Sequence, residues 1–473
     1  MKKRDTEYWY LLALLLVMLI AVHFYLESDV GIVVNFDDAF YAASIVNQVT
    51  YLKMIPWGAA SFGFAALGRI FYVLTGNLFT ATTEMPITAI MLTMIALYMI
   101  GRKYGGGLVG LSSAVLFAFN PLVYAYSIRL LPDIFITMLL SFAILITVYT
   151  ERKSYGYFIG GIVAGLGVFF GIQVLLSLLA YFVLAASLVY VEKLKGKVRK
   201  IFCAFIGMAL AITLFLLLQE IVYGNLLFAI NGLETFNSEY MSTAPHNNYY
   251  FNVLFPESQV GYLLGSGTEP YSTLGMLSIV FIGANVALLY KKKLSIVPYT
   301  FSSVAFVLYV LFGTQSISMY YPILHMNRLL MPIVLLFSIG SGMFAGLAKS
   351  RVHAVAAIAF LVFYVFVSFQ YYTYAARYYD FTNKNPYLAT EQMSNYLNTM
   401  DLKGYFIHEN VTELPILLCA SLKTSPVVCN GGPGPVEGIN CAENNTIFLL
   451  DVPYCGSAYI FSNKSLGYYI YKN

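Results

Sequence analysis

Apolar runs of about 18–23 residues recur along this chain, separated by short stretches that hold Lys, Arg, Gly or Asn. A run of about 20 apolar residues is the length of helix that crosses a hydrocarbon core of about 30 Å. Eleven such spans can be drawn, at about 9–26, 80–100, 107–126, 132–150, 155–172, 174–191, 200–222, 271–290, 296–313, 329–348 and 353–374. One further apolar stretch, Trp57–Leu74, is interrupted by Gly58, Gly63, Gly68 and Arg69. It reads as one or two amphipathic helices lying along the membrane surface. The pattern changes after about Ala375. There, short runs suggest a helix at Asn385–Met400, a helical stretch at Glu413–Ser421, and strands at Gly404–His408, Ile447–Leu450 and Ala458–Phe461.

Composition agrees with the pattern. Of 473 residues, 59% are hydrophobic and only 11% charged, with a mean hydropathy of +0.72. Soluble domains carry about 25% charged residues. The expected fold is therefore a polytopic α-helical membrane protein. The aromatic share of 16%, including 40 Tyr, suits interfacial belts. The basic residues sit in short loops and form no extended basic face, which speaks against nucleic acid as a partner. Lys2-Lys3-Arg4 followed by an apolar run resembles a signal peptide, but the run is long and no small-residue cleavage site follows. It reads as an uncleaved first helix.

Charge placement sets an orientation. With the N-terminus in the cytoplasm, 17 of the 21 Lys and Arg before residue 375 fall in cytoplasmic loops. The four exceptions are Lys53, Arg69, Arg129 and Arg328. A multi-pass plasma-membrane protein follows, with its C-terminus outside. Residues 1–374 form the membrane domain, with a first outer loop at 27–79 and a second at 224–270. Residues 375–473 form a small extracytoplasmic α/β domain. This tail holds Cys419, Cys429, Cys441 and Cys455, and the sequons at Asn410, Asn444 and Asn463. An oxidising compartment favours disulfides, and four cysteines allow three pairings. Sequence order slightly favours Cys419–Cys429 with Cys441–Cys455. Zinc is the weaker reading, since no CxxC spacing occurs.

Three constellations carry candidate chemistry. Asp37-Asp38 follows the first span, where acidic residues near lipid are costly. One carboxylate can accept a proton from an attacking hydroxyl, and the second can orient an acceptor or bind a divalent cation. The competing reading is a helix N-cap ahead of Ala39–Val49, although a cap needs only one Asp. Arg129-Leu130-Leu131-Pro132-Asp133 lies at the outer end between the third and fourth spans. Pro132 suits a first helical turn, and Asp133 complements the helix dipole. His325-Met326-Asn327-Arg328 precedes the tenth span. A cation there opposes the dipole, so Arg328 points to an anionic partner such as phosphate, which its planar fork suits. His325 is a candidate metal ligand, a phosphate contact or an interfacial residue. No HExxH, Walker, GxSxG or GxGxxG motif occurs.

In order along the chain, these motifs resemble the GT-C superfamily of membrane glycosyltransferases. The resemblance is to the branch with the protein O-mannosyltransferases and the aminoarabinose-to-lipid-A transferases. It rests on Asp37-Asp38-Ala-Phe-Tyr-Ala, on Asn120-Pro121-Leu122-Val123-Tyr124-Ala125-Tyr126-Ser127 with Arg129-Leu-Leu-Pro-Asp133, and on Arg328-Leu-Leu-Met-Pro332, and it covers about residues 1–375. It implies transfer of a sugar from a polyprenyl-phosphate donor to a hydroxyl of a protein, lipid or glycan on the outer face. Asp37 would be the general base or acceptor-orienting carboxylate. Arg328, Arg129 and His325 would hold the donor phosphate, and Tyr41, Arg69 and Asp133 would touch substrate. A divalent metal, with Asp38 and His325 as candidate ligands, is the one cofactor in view. The branch usually shows Asp-Glu, whereas the second acid here is Asp38. The Trp-Trp-Asp-Tyr-Gly signature of oligosaccharyltransferase catalytic subunits is missing, which argues against whole-glycan transfer to asparagine. A secondary transporter would instead show internal repeats and ionisable groups at mid-membrane. A non-catalytic component of cell-surface glycan assembly would tolerate loss of Asp37, Asp38 and Arg328 together.

Overall fold

A computed structural model describes residues 3–27, 41–42, 44–46, 61–127, 130–171, 174–191, 193, 195–232, 277–312, 330–347 and 351–379, together with five short strands beyond residue 400. In chain order the helices are α1 (Lys3–Glu27), α2 (Phe62–Thr75), α3 (Leu78–Gly105), α4 (Gly107–Ala118), α5 (Pro121–Ser127), α6 (Asp133–Tyr149) and α7 (Ser154–Gly165). They continue with α8 (Val174–Val191), α9 (Lys197–Tyr223), α10 (Leu277–Tyr290), α11 (Val297–Phe312), α12 (Met331–Ala345) and α13 (Arg351–Tyr379). Three of these, α3, α8 and α9, are long and apolar enough to cross a membrane by themselves. Among the described residues, the other helices except α5 hold apolar stretches of 10–17 residues.

Where one continuous span was expected at 107–126, the chain breaks at Phe119-Asn120 and restarts as α5. Pro121 explains the break: it lacks an N–H, and its ring clashes with a preceding helical carbonyl, so it opens a helix more readily than it continues one. The Asn120 side-chain oxygen accepts the Leu122 amide at 3.0 Å and caps the new start. The span at 155–172 likewise tightens into a 3₁₀ turn at Leu166–Phe169. Gly105-Gly106-Gly107 makes a tight turn between α3 and α4, with Gly106 at φ +87°. Trp57–Leu74 yields a single described helix, α2, capped at its end by Gly76 in the left-handed region.

Helix α12 is the centre of the bundle. Every residue from Met331 to Met343 is buried, as befits a helix that is apolar on all sides. It packs on α3, α4, α5, α6, α10 and α11. Small residues permit this: a Cβ on Gly342 would lie 2.1 Å from Ser113 Oγ, and one on Gly340 would lie 2.4 Å from the Phe281 ring. The same device joins α7 to α9, where a Cβ on Gly161 would meet the Ala204 carbonyl at 2.2 Å and one on Gly207 the Phe158 carbonyl at 2.1 Å. Between apolar helices in lipid, close backbone approach supplies the packing energy that the hydrophobic effect cannot. The far side of α9 turns Phe202, Phe205, Leu214 and Ile221 outward.

The tail residues that are described form one mixed sheet, ordered β2-β1-β3-β5-β4. Its strands are β1 (Gly404–His408), β2 (Val428–Asn430), β3 (Thr446–Leu450), β4 (Tyr459–Asn463) and β5 (Tyr468–Lys472). β1 runs parallel to both β2 and β3, while β5 runs antiparallel to β3 and β4. Three of these strands lie where the sequence pattern places them. β2, which holds Cys429, and β5 were not expected. The expected helices at Asn385–Met400 and Glu413–Ser421 lie outside the described residues.

Candidate active site

Of the residues singled out from sequence, Tyr41, Arg69 and Asp133 have described side chains. Asp37, Asp38, Arg129, His325 and Arg328 lie outside the described residues, as do Cys419, Cys441, Cys455, Asn410 and Asn444. Asn463 ends β4. Cys203 is a free thiol on α9.

The three described candidates are linked through α2. Phe64, buried in the middle of α2, meets the Tyr41 ring at 5.1 Å on one side and the Phe135 ring edge-on at 5.4 Å on the other. Phe135 belongs to the first turn of α6, two residues after Asp133, and stacks on Phe170 at 5.7 Å. Arg69, one turn further along α2, reaches back to donate to the Val46 carbonyl at 3.4 Å and lies over the Tyr72 ring at 5.2 Å. Two glycines let α2 approach this closely. A Cβ on Gly68 would lie 2.5 Å from Ile45, and one on Gly63 would lie 2.9 Å from Phe169. Ser61 fastens the start of α2 by donating to the Phe170 carbonyl at 3.1 Å. The helix that the sequence places on the membrane surface thus clamps the segment after the aspartate pair against the start of α6.

Asp133 is 4% exposed and sits in the first turn of α6, directly after Pro132. The first-turn amides and the helix dipole favour a carboxylate there. This local role accounts for its position, and it also places a negative charge at the same end of the bundle as Tyr41 and Arg69. Arg69 is exposed, and Ile70, Val73 and Leu74 beside it are turned outward, 57%, 69% and 77% exposed. A guanidinium flanked by outward apolar residues suits a phosphate held at a lipid surface.

A second cluster at this end joins Asn120 and Tyr124, which belong to the resemblance motif, to Tyr25 and Tyr364, which the sequence did not single out. The Tyr25 hydroxyl donates to the Ala118 carbonyl at 2.9 Å, and its ring meets Tyr124 at 5.5 Å. Asn120 Nδ2 donates to the Tyr364 hydroxyl at 3.2 Å, which in turn donates to the Leu116 carbonyl at 3.1 Å. Tyr25, Asn120, Tyr124 and Tyr364 are all buried. They tie α1, the α4–α5 break and α13 together at the point where the chain sets out toward Arg129. The Asn-Pro step inside an apolar run was the available signal. What it bonds to lies 244 residues away in sequence.

Among the described residues, no three His, Cys, Asp or Glu side chains gather as metal ligands would. The candidate metal ligands Asp38 and His325 lie outside those residues.

A family model described as dolichyl-phosphate-mannose-protein mannosyltransferase matches residues 59–218. This stretch takes in α2 to α8 and most of α9. No curated protein sequence matches the chain. Among solved structures, the chain is similar to ArnT from Cupriavidus metallidurans bound to undecaprenyl phosphate. The two share 12% identity at a TM-score of 0.58, over 89% of this chain and 86% of that one. It is also similar to the Archaeoglobus fulgidus oligosaccharyltransferase in complex with zinc and sulfate, at 14% identity and a TM-score of 0.51. That match takes in 88% of this chain and 62% of the oligosaccharyltransferase. At such identities the likeness is one of fold. Together with the family model, it upholds the resemblance to the GT-C superfamily of membrane glycosyltransferases that the sequence motifs carry.

Proposed function

We propose that this chain, a GT-C-like membrane glycosyltransferase in fold and family resemblance, moves a sugar from a polyprenyl-phosphate donor to a hydroxyl of a protein, lipid or glycan on the outer face. The observation that carries this reading is the fold shared over 89% of the chain with ArnT bound to undecaprenyl phosphate. In this reading the acceptor oxygen attacks the anomeric carbon, and the bond from that carbon to the phosphate oxygen breaks. The acceptor proton passes to Asp37, and polyprenyl phosphate leaves. Single in-line displacement inverts the anomeric centre. The departing phosphate needs charge neutralisation more than it needs a proton, which is the role of Arg328, supported by Arg129 and His325. Asp38 contacts the acceptor, ligates a metal or caps a helix.

Chain connectivity supports this grouping. Three peptide units separate Asp38 from Tyr41, a reach of no more than ~11 Å. Arg129 and Arg328 adjoin Leu130 and Leu330 closely in sequence, and both leucines are fully buried. The two helices that follow and precede those arginines, α12 and α5, pack on each other. The same proposal places the N-terminus in the cytoplasm, eleven spans in the membrane, and residues 375–473 outside as a disulfide-bonded, glycosylatable domain.

The test is to incubate purified protein with a panel of polyprenyl-phosphate sugars and measure released polyprenyl phosphate. Release with at least one donor, lost in Asp37→Asn while donor binding persists, is the expected result. Near-normal turnover by Asp37→Asn would remove Asp37 as the base. Sugar accumulation in vesicles without any release would replace the reading with transport.

A further inference from the structure

We propose that Tyr25 on α1 and Tyr364 on α13 are positioning residues for the donor-phosphate site, acting through the break between α4 and α5. Their hydroxyls take up backbone carbonyls that the break deprives of helical donors. They thereby fix α5, whose end leads to Arg129. The inference rests on the proposed glycosyl transfer and on the role given there to Arg129.

In a continuous helix each carbonyl accepts the amide four residues further on. Pro121 has no N–H to give the Phe117 carbonyl. The Asn120 amide bonds to Phe117 instead, at 3.0 Å, and is thereby lost to the Leu116 carbonyl. The Leu122 amide turns to the Asn120 side-chain oxygen at 3.0 Å, and is thereby lost to the Ala118 carbonyl. The regular ladder resumes with the Tyr124 amide on the Asn120 carbonyl at 3.0 Å. A carbonyl without a donor is costly where water does not reach. The Tyr364 hydroxyl donates to Leu116 at 3.1 Å, and the Tyr25 hydroxyl donates to Ala118 at 2.9 Å. Asn120 closes the set by donating from Nδ2 to the Tyr364 hydroxyl at 3.2 Å. The two tyrosines lie 248 and 93 residues from the carbonyls they meet, so neither is a local cap.

Helix α5 is seven residues long and ends two residues before Arg129. Leu130 and Leu131, which follow Arg129, are fully buried. Tyr124 on α5 rests against the Tyr25 ring at 5.5 Å. The helix also packs on α12, which Arg328 precedes in sequence. The angle at which α5 leaves the break therefore bears on where the chain delivers Arg129 relative to the start of α12. Removing a tyrosine hydroxyl leaves the ring packing in place but strands a carbonyl. The chain relieves this by pairing Leu116 with the Asn120 amide, or Ala118 with the Leu122 amide, which swings α5 toward the axis of α4. A shift of about 1 Å is enough to weaken a site that depends on alignment.

The full chain in phosphatidylcholine nanodiscs would be titrated with undecaprenyl phosphate and, in parallel, with dolichyl phosphate, and its thermal midpoint read alongside. Tyr25→Phe and Tyr364→Phe should each weaken binding of the tighter carrier about fivefold. Arg129→Gln should weaken it too, and adding Tyr364→Phe to Arg129→Gln should weaken it no further. Tyrosines with a purely structural role would lower the midpoint and leave the affinity unchanged, which overturns the proposal. So does an equal loss of affinity from Tyr364→Phe with and without Arg129→Gln. If Tyr364→Phe fails to fold, Pro121→Ala decides, because it gives the Phe117 carbonyl a backbone donor and lets α4 run on into α5. Weaker carrier binding by Pro121→Ala supports the proposal, and wild-type affinity overturns it. A wild-type protein that binds neither carrier overturns the glycosyl-transfer reading and this inference with it. Carrier binding indifferent to the hydroxyls overturns this inference alone.

Discussion

At one end of the bundle, Arg102 bonds Glu7 at 2.8 Å and Lys103 bonds both Glu151 and the Val148 carbonyl. Lysines lie over tyrosines at Tyr149, Tyr155, Tyr157, Tyr190 and Tyr290. At the other end, Tyr25, Asn120 and Tyr364 join helices through neutral hydrogen bonds, and Tyr41, Phe64, Phe135 and Phe170 join them through rings. The charges described there are few: Asp133 is buried and Arg69 bonds a carbonyl. The difference is instructive. Charges that meet water and headgroups can serve as a rim, because exposed pairs cost little to form and contribute little. The proposed transfer site, which would hold a phosphate and a base, calls for a neutral, rigid surround, so that its few charges act on substrate and not on each other.

If the proposed transfer reaction holds, Asp37→Asn should lower transfer by about 10²-fold or more, and Arg328→Gln should do likewise by removing phosphate neutralisation. Released polyprenyl phosphate under saturating donor measures both, and normal rates in both would overturn the proposed base and phosphate clamp. Next, Asn120→Ala removes the cap on Leu122 and the bond to Tyr364. It should destabilise by about 1–3 kcal/mol, since buried groups lose their partners. Its thermal midpoint should fall clearly below that of the wild-type protein, and an unchanged midpoint would mean that the α4–α5 break is held by packing alone. Tyr25→Phe should cost about 1 kcal/mol, because the bond to the Ala118 carbonyl is lost. Smallest is Glu7→Gln at the charged rim. The Arg102–Glu7 pair is 40% and 45% exposed, so its loss should change stability by less than about 1 kcal/mol and leave turnover intact. A larger loss that vanishes in high salt would show the rim to be a coupled network.

Much of the fold was legible because lipid imposes a simple rule. Each apolar run must become a helix, since its backbone has no water to bond. The runs beginning near residues 80, 132, 174, 200 and 329 became α3, α6, α8, α9 and α12. Pro121 instead broke into α4 and α5 a run that was expected to continue from 107 to 126. Less legible were the strands β2 and β5, whose pairing depends on residues distant in sequence. The candidate site was legible as residue types in order, Asp37-Asp38, then Arg129, then Arg328. The sequence offered no sign that α2 would pack by Gly63 and Gly68 against Phe169 and Ile45. Nor did it show that Asn120 would meet Tyr364.

Alone, then, the sequence determined that this is a polytopic helical membrane protein, and which end of each span its charges favour. Those properties follow from composition and period, which act locally. Helix packing in three dimensions put α12 at the centre, let α2 clamp Tyr41 to the start of α6, and buried Lys200 over the Tyr157 ring. These depend on which small residues face each other across helices. Helical period alone does not encode that pairing.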